Sequence, residues 1–170
     1  RATLCVLGDS NAFGIAQIGN SNDVGVLTVT GDSNQLGVEQ YGDDNLLTVN
    51  DYTGDFNIVG VAQSTDGAGG NTATLTLTGS TNLIDFDQDS NDKANVITAS
   101  VLGDLNDLTV NQTVGASSDA SSKADVDIDG SSNRLNVQQN STRQRGDAQS
   151  VDVSITGDYS KLGLYIQGFT

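Results

Sequence analysis

Residues 31–63 read GDSNQLGVEQYGDDNLLTVNDYTGDFNIVGVAQ. One pattern occurs twice in this stretch. Gly31-Asp32-Ser33-Asn34 returns as Gly54-Asp55-Phe56-Asn57, 23 residues on, and Gly42-Asp43-Asp44-Asn45 falls midway. After Asn34, every second place holds Leu36, Val38 and then Gln40; after Asn57 the same places hold Val59, Val61 and Gln63. Period-two alternation marks a strand with one buried face. Gly supplies the positive φ of a tight turn, and Asp or Ser bonds its own backbone there. The stretch therefore predicts strand, tight arc, strand, tight arc, and then the same again.

The pattern extends in both directions. G-x-x-N also stands at 8–11 and 19–22, and further glycines of the series are Gly79, Gly103, Gly130 and Gly157, at steps of 25, 24, 27 and 27. Phe13, Ile15, Gln17 open the series of alternating rows, which continues with Ile84, Phe86, Gln88; Leu108, Val110, Gln112; and Leu135, Val137, Gln139. The second half of each repeat alternates too: Ala73, Leu75, Leu77; Ile97, Ala99, Val101; Ala124, Val126, Ile128; Val151, Val153, Ile155. The second halves at 22–30 and 45–53 are one residue longer, which leaves their register open.

A single unit of this kind cannot bury its own apolar face, but stacked units can, at about 4.8 Å per turn. The expected fold is all-β: a two-sided, cross-β-like β-solenoid of about seven turns in one domain, residues 1–170. Its parts would be a half-turn 1–7, repeats 8–30, 31–53, 54–78, 79–102, 103–129 and 130–156, and a half-turn 157–170. Stacking sets like residues in columns. Asn11, Asn34, Asn57, Asn82, Asn106 and Asn133 form one; Gln17, Gln40, Gln63, Gln88, Gln112 and Gln139 form another. A buried amide is costly alone, but in a column each amide donates to the next, as in cross-β ladders. The arc before the first strand keeps four residues in every repeat, whereas the arc after Gln lengthens in later repeats, so insertions gather on one edge.

Composition narrows the function. There is no His and one Cys, which excludes His/Cys zinc or haem sites, a Ser-His-Asp triad and a disulfide framework. Acids number 22, of which 21 are Asp, against 7 Lys plus Arg, for a net charge of -15. Such a chain suits neither nucleic acid nor an anionic membrane, and no apolar run is long enough to span a bilayer. The chain begins at Arg1 and has no Met, so removal of an N-terminal secretory segment is expected, and with it an extracellular location.

The string Q-x-G-x-x-N, as Gln17-Ile18-Gly19-Asn20-Ser21-Asn22 and Gln40-Tyr41-Gly42-Asp43-Asp44-Asn45, resembles the curlin repeat of curli fibre subunits. The period of about 23 residues and the alternating apolar places match as well, over nearly the whole chain. The resemblance implies a secreted, self-assembling amyloid-type subunit of biofilm fibres that functions in adhesion. At the place analogous to Gln, the second strand carries Thr28, Leu77, Val101, Ile128 and Ile155, and Ile166 stands where a seventh Gln would be.

Other features invite sharper readings. The turn acids Asp9, Asp32, Asp55, Asp104 and Asp158 are candidates for loosely held cations, though turn chemistry alone accounts for Asp there. No ordered metal site and no cofactor is expected. Gly14, Gly37, Gly60 and Gly163 with Ala12, Ala16 and Ala62 make a flat outward strip where another filament could pack. Thr72, Thr74, Thr76 and Thr78 hint at ice binding, but later rows place Asp125, Asp127 and Asp152 outward. Asp85, Asp87 and Asp89 could serve acid/base chemistry, yet no loop builds a cleft, so no enzyme is expected. Cys5 should point outward. The expected function is a fibre subunit whose partner is itself, head to tail, through Ala2, Leu4 and Val6 at one end and Leu162, Leu164 and Ile166 at the other: strand addition between 161–167 and 2–7 with their neighbouring rows, a first-half and a second-half segment that together complete a turn. A monomeric β-solenoid adhesin or ice- or polysaccharide-binding module is the alternative.

Overall fold

All regular structure among the described residues is β-strand. The structure is a computed structural model and describes residues 1–26, 28–66, 69–90, 95–114, 123–130, 132–141, 150–157 and 161–167. Every strand pairing is parallel. The chain winds as a β-solenoid of two sheets. The first halves form a seven-stranded sheet: β3 (Ala12–Ile18), β6 (Gln35–Tyr41), β8 (Ile58–Thr65), β10 (Leu83–Ser90), β12 (Asp107–Val114), β14 (Arg134–Ser141) and β16 (Lys161–Gln167). The second halves form a nine-stranded sheet: β1 (Ala2–Thr3), β2 (Val6–Leu7), β4 (Asp23–Val26), β5 (Val29–Thr30), β7 (Leu46–Thr53), β9 (Thr72–Thr78), β11 (Val96–Leu102), β13 (Lys123–Asp129) and β15 (Ser150–Thr156). In each sheet a strand pairs with the one a full repeat away, so nearly all stabilising contacts lie between rows.

The alternation in sequence becomes alternation in burial. β6 reads exposed-buried throughout its seven residues, with Leu36, Val38 and Gln40 inward. One apolar cluster fills the space between the sheets, drawing on both. Most of its members are Val, Leu and Ile, whose branched side chains suit a pleated, half-buried surface.

The two long rows resolve through an extra residue. Between β7 and β9 the register slips between Val49 and Asp51, so Asn50 and Asp51 are both exposed and Tyr52 turns inward. The row above is interrupted between β4 and β5, and buried Val26 and Val29 flank the break. The residue in the column of Leu77 and Val101 is therefore Val29, not Thr28, and in the next row it is Tyr52. Plain alternation fails here because a bulge adds one residue without adding an inward place.

The short arcs repeat one conformation. Their third residues, Ser10, Ser33, Phe56, Thr81, Leu105 and Ser132, all lie near φ +60°. That region is strained for a bulky side chain, by about 1–2 kcal/mol, and Phe56 and Leu105 are bulky and exposed. Phe56→Asn should therefore raise the free energy of unfolding by about 0.5–1 kcal/mol, because Asn tolerates this backbone and Phe56 buries little. A urea midpoint below that of the wild type would contradict this.

Candidate functional site: the amide columns and the strand edges

The first Asn column is bonded chiefly to backbone. The Oδ1 of Asn11 accepts the N–H of Asn34 at 2.8 Å, Asn34 that of Asn57 at 3.0 Å, and Asn57 that of Asn82 at 2.8 Å. The Nδ2 groups of Asn11, Asn34, Asn57 and Asn82 donate to the carbonyls of Gly31, Gly54, Gly79 and Gly103, each one row further on. Amide-to-amide bonds join Asn82 to Asn57, Asn106 to Asn82 and Asn133 to Asn106. Asn11, Asn34, Asn57 and Asn82 thus each serve two backbone groups that the turn takes out of the ladder. This explains why Asn, short and with both a donor and an acceptor, stands there. A second column at the other edge, Asn22, Asn45, Asn71 and Asn95, repeats the device: the N–H groups of Asn45, Asn71 and Asn95 go to the preceding Oδ1.

The Gln column runs side chain to side chain. Gln17 donates to Gln40 at 2.6 Å, Gln40 to Gln63 at 2.8 Å, Gln112 to Gln88 at 3.3 Å and Gln139 to Gln112 at 3.0 Å. Each Nε2 also reaches the opposite sheet: Gln40 the carbonyl of Asp23, Gln63 that of Leu46, Gln112 that of Val96 and Gln139 that of Lys123. The longer Gln is needed because its bond crosses the core. Gln139 Oε1 is buried without a partner, and the residue paired with Gln139 in the next strand is Ile166.

Tyr52 was not legible as a core residue. Its hydroxyl donates to the carbonyl of either Gln35 or Asn57, both at 2.9 Å, spanning the core from the opposite sheet. Burial pushes its phenol well above the ordinary tyrosine range.

The turn acids bond to backbone as well. Asp32 Oδ1 accepts the N–H of Asp9 at 2.6 Å, Asp55 Oδ1 that of Asp32 at 2.7 Å, and Asp104 Oδ1 that of Ser80. A carboxylate so engaged is a row-to-row tie. Asp158 lies outside the described residues. Among the described residues no group of three or more His, Cys, Asp or Glu could hold a metal ion. Asp85, Asp87 and Asp89 project outward from β10. Lost solvation first, then the neighbouring charges of Asp85 and Asp89, raise the Asp87 carboxyl above its usual range. Among the described residues neither ion pair, Lys123 with Asp125 or Arg134 with Asp107, involves them.

On the outer face of the seven-stranded sheet, Gly14, Gly37 and Gly60, with Ala16, Glu39, Ala62 and Asp85, line an open trough of about 580 Å³. The Thr column of β9 is not continued: Thr74 pairs with Thr98 and then Asp125, Thr76 with Ser100 and then Asp127. Cys5 is exposed and free.

The expected interface residues divide between sheets. Ala2 and Val6 belong to β1 and β2, while Leu162, Leu164 and Ile166 belong to β16. Leu4 and Val6 are each 36% exposed, against 0% for Val29 in the column of Val6. Leu162 and Leu164 are partly buried; the side chain of Ile166 lies outside the described residues. The open edges of the seven-stranded sheet are β3 and β16, and those of the other sheet are β1 with β2, and β15. Segments 2–7 and 161–167 therefore lie on opposite sides of the core and are not placed to pair with each other as neighbours in a continued sheet.

Comparison of the chain with protein-family models, with curated proteins and with solved structures gives no match.

Proposed function

We propose that the protein is a secreted, curlin-like structural subunit. In this reading it polymerises head to tail into an extracellular, amyloid-like fibre that supports adhesion within a biofilm. It is not an enzyme, and it takes no cofactor beyond loosely held cations. Each copy contributes a two-sided stack of seven turns, about 33 Å of fibre at about 4.8 Å per turn.

The observation that carries the reading is the sameness of the rows. From row to row the same elements recur, namely parallel backbone groups in register, apolar columns, an Asn column and a Gln column, with one residue more in the rows of β4/β5 and β7 and Ile166 in place of Gln in the last row. A surface that fits the row below it also fits an identical row from a second copy. Such a heterologous contact does not close, so it propagates. An unpaired strand edge is itself a template for addition.

Two measurements test this. Electron microscopy of the purified chain should show unbranched filaments, and persistently monomeric protein would overturn the reading. Assembly should also depend on salt. Copies carrying -15 repel each other, and raising ionic strength to physiological levels shortens that repulsion to about 8 Å. Seeded elongation should be several-fold faster at 150 mM than at 10 mM NaCl, and faster still with added Mg²⁺. Rates indifferent to salt would count against charge-limited assembly.

A further inference from the structure

The division of the edges between two sheets specifies a joint. Resting on the fibre reading, we infer that successive copies splice through two strand pairs at once. β16 of one copy lies against β3 of the next in the seven-stranded sheet, and β15 lies against residues 1–7 of that next copy in the other sheet.

The register follows from the columns. Arg134 pairs with Lys161 and Asn136 with Gly163, and the same columns run up to Ala12 and Gly14. Continued across the joint, they set Lys161 beside Ala12 and Gly163 beside Gly14. In the other sheet, Val6 lies in the column of Val29, Tyr52, Leu77, Val101, Ile128 and Ile155. The same continuation sets Ile155 beside Val6 and Ser154 beside Cys5.

Three observations favour this splice. The first is length. From Ala2 to Val6 and from Val151 to Ile155 there are the same number of places, whereas the adjacent row, Val24 to Val29, holds one residue more. Residues 1–7 therefore match β15 without a bulge. The second is burial. Val151, Val153 and Ile155 are 4%, 7% and 8% exposed, while Ala124 and Ile128 one row inward are at 0%. Leu4 and Val6 at the other end are exposed, at 36% each, so each end holds apolar surface that a further row would cover. The third is charge. The splice sets Lys161 beside Ala12, Asp152 beside Thr3 and Ser150 beside Arg1, so no carboxylates oppose each other within the paired strands; by the same count Asp158 falls at Asp9 in the arc, where it continues the Asp column.

Cysteine chemistry tests the register. Directly paired residues on neighbouring strands are about 4.8 Å apart, inside the range a disulfide spans, and residues two strands apart are not. Ser154→Cys, in a chain retaining Cys5, should give fibres that on mild oxidation yield a reducible ladder of covalent oligomers. Asp127→Cys, in the same column but one row further from the joint, should give none. Gly14→Cys with Gly163→Cys in a Cys5→Ser background tests the other sheet; a Cβ at either glycine meets nothing within 4 Å. Each of these two alone should leave fibres unlinked. Fibres of Ser154→Cys without a ladder would overturn the splice, as would a ladder from Asp127→Cys or from either glycine variant alone. If Ser154→Cys does not assemble, the paired glycine variant decides in the same way. Failure of the wild-type chain to form fibres would instead remove the fibre reading itself.

Discussion

Gly54→Ala should destabilise the solenoid by about 3–5 kcal/mol, a large part of the 5–15 kcal/mol typical of a folded domain. Gly54 has φ +124°, which L side chains rarely adopt, and an added Cβ would lie 1.9 Å from the carbonyl oxygen of Gly79 in the next row. Relief requires the rows to part at the short arc. That would strain the bond from Asn57 Nδ2 to the same carbonyl, now 2.8 Å. Gly37→Ala is the control. It sits on a strand, and a Cβ there meets nothing within 4 Å, so its effect should stay within about 0.5 kcal/mol. Denaturant midpoints of the two variants check the contrast. Equal losses would show that the close approach of the arcs does not limit the fold.

Asn57→Ala should cost about 2–5 kcal/mol. Its Oδ1 accepts the backbone N–H of Asn82 at 2.8 Å, and its Nδ2 serves Gly79. Truncation leaves a donor and an acceptor buried without partners, at about 1–3 kcal/mol each. Gln63→Leu removes Nε2 from the carbonyls of Leu46 and Asn71, but it should cost less, about 1–2 kcal/mol, because Asn71 keeps the N–H of Leu46, Gln40 keeps its bond to the carbonyl of Asp23 at 3.1 Å, and Leu fills similar volume. Calorimetry or chemical denaturation of both variants ranks the columns. A larger loss for Gln63→Leu than for Asn57→Ala would reverse the roles assigned to them.

Much of this arrangement could be read from residue order alone. Where inward places recur at every second residue, as in β6 and β8, a strand has one way to face the core, and the columns follow. The two long rows could not be placed this way. One extra residue can be absorbed at several points, and only packing selects Asn50, with the result that Tyr52 rather than Asp51 reaches the core. The amide partners were half legible. Spacing places Asn57 beside Asn34 and Asn82, but a turn's displaced carbonyl, Gly79, competes for its Nδ2 and takes it. The turn acids were read as bonding their own backbone or loosely holding cations; the partners found lie a whole repeat away, at Asp9 for Asp32. Residues 1–7 and 157–170 could be placed from sequence as a second-half and a first-half segment, and the winding puts these halves in different sheets.

The dependence of every row on its neighbours also has a mechanical consequence. A pull applied through the two ends of the chain does not load the stack all at once. It peels the outermost row, whose bonds open in sequence, while the rows beneath remain unloaded. Each row released frees a segment of about 23–27 residues, adding about 80 Å of extended length at about 3.3 Å per residue. A load spread across the face of a row would instead strain all of its cross-row bonds together, and the same molecule would resist far more strongly. The solenoid is thus a coil that is weak when unwound from an end and stiff along its axis.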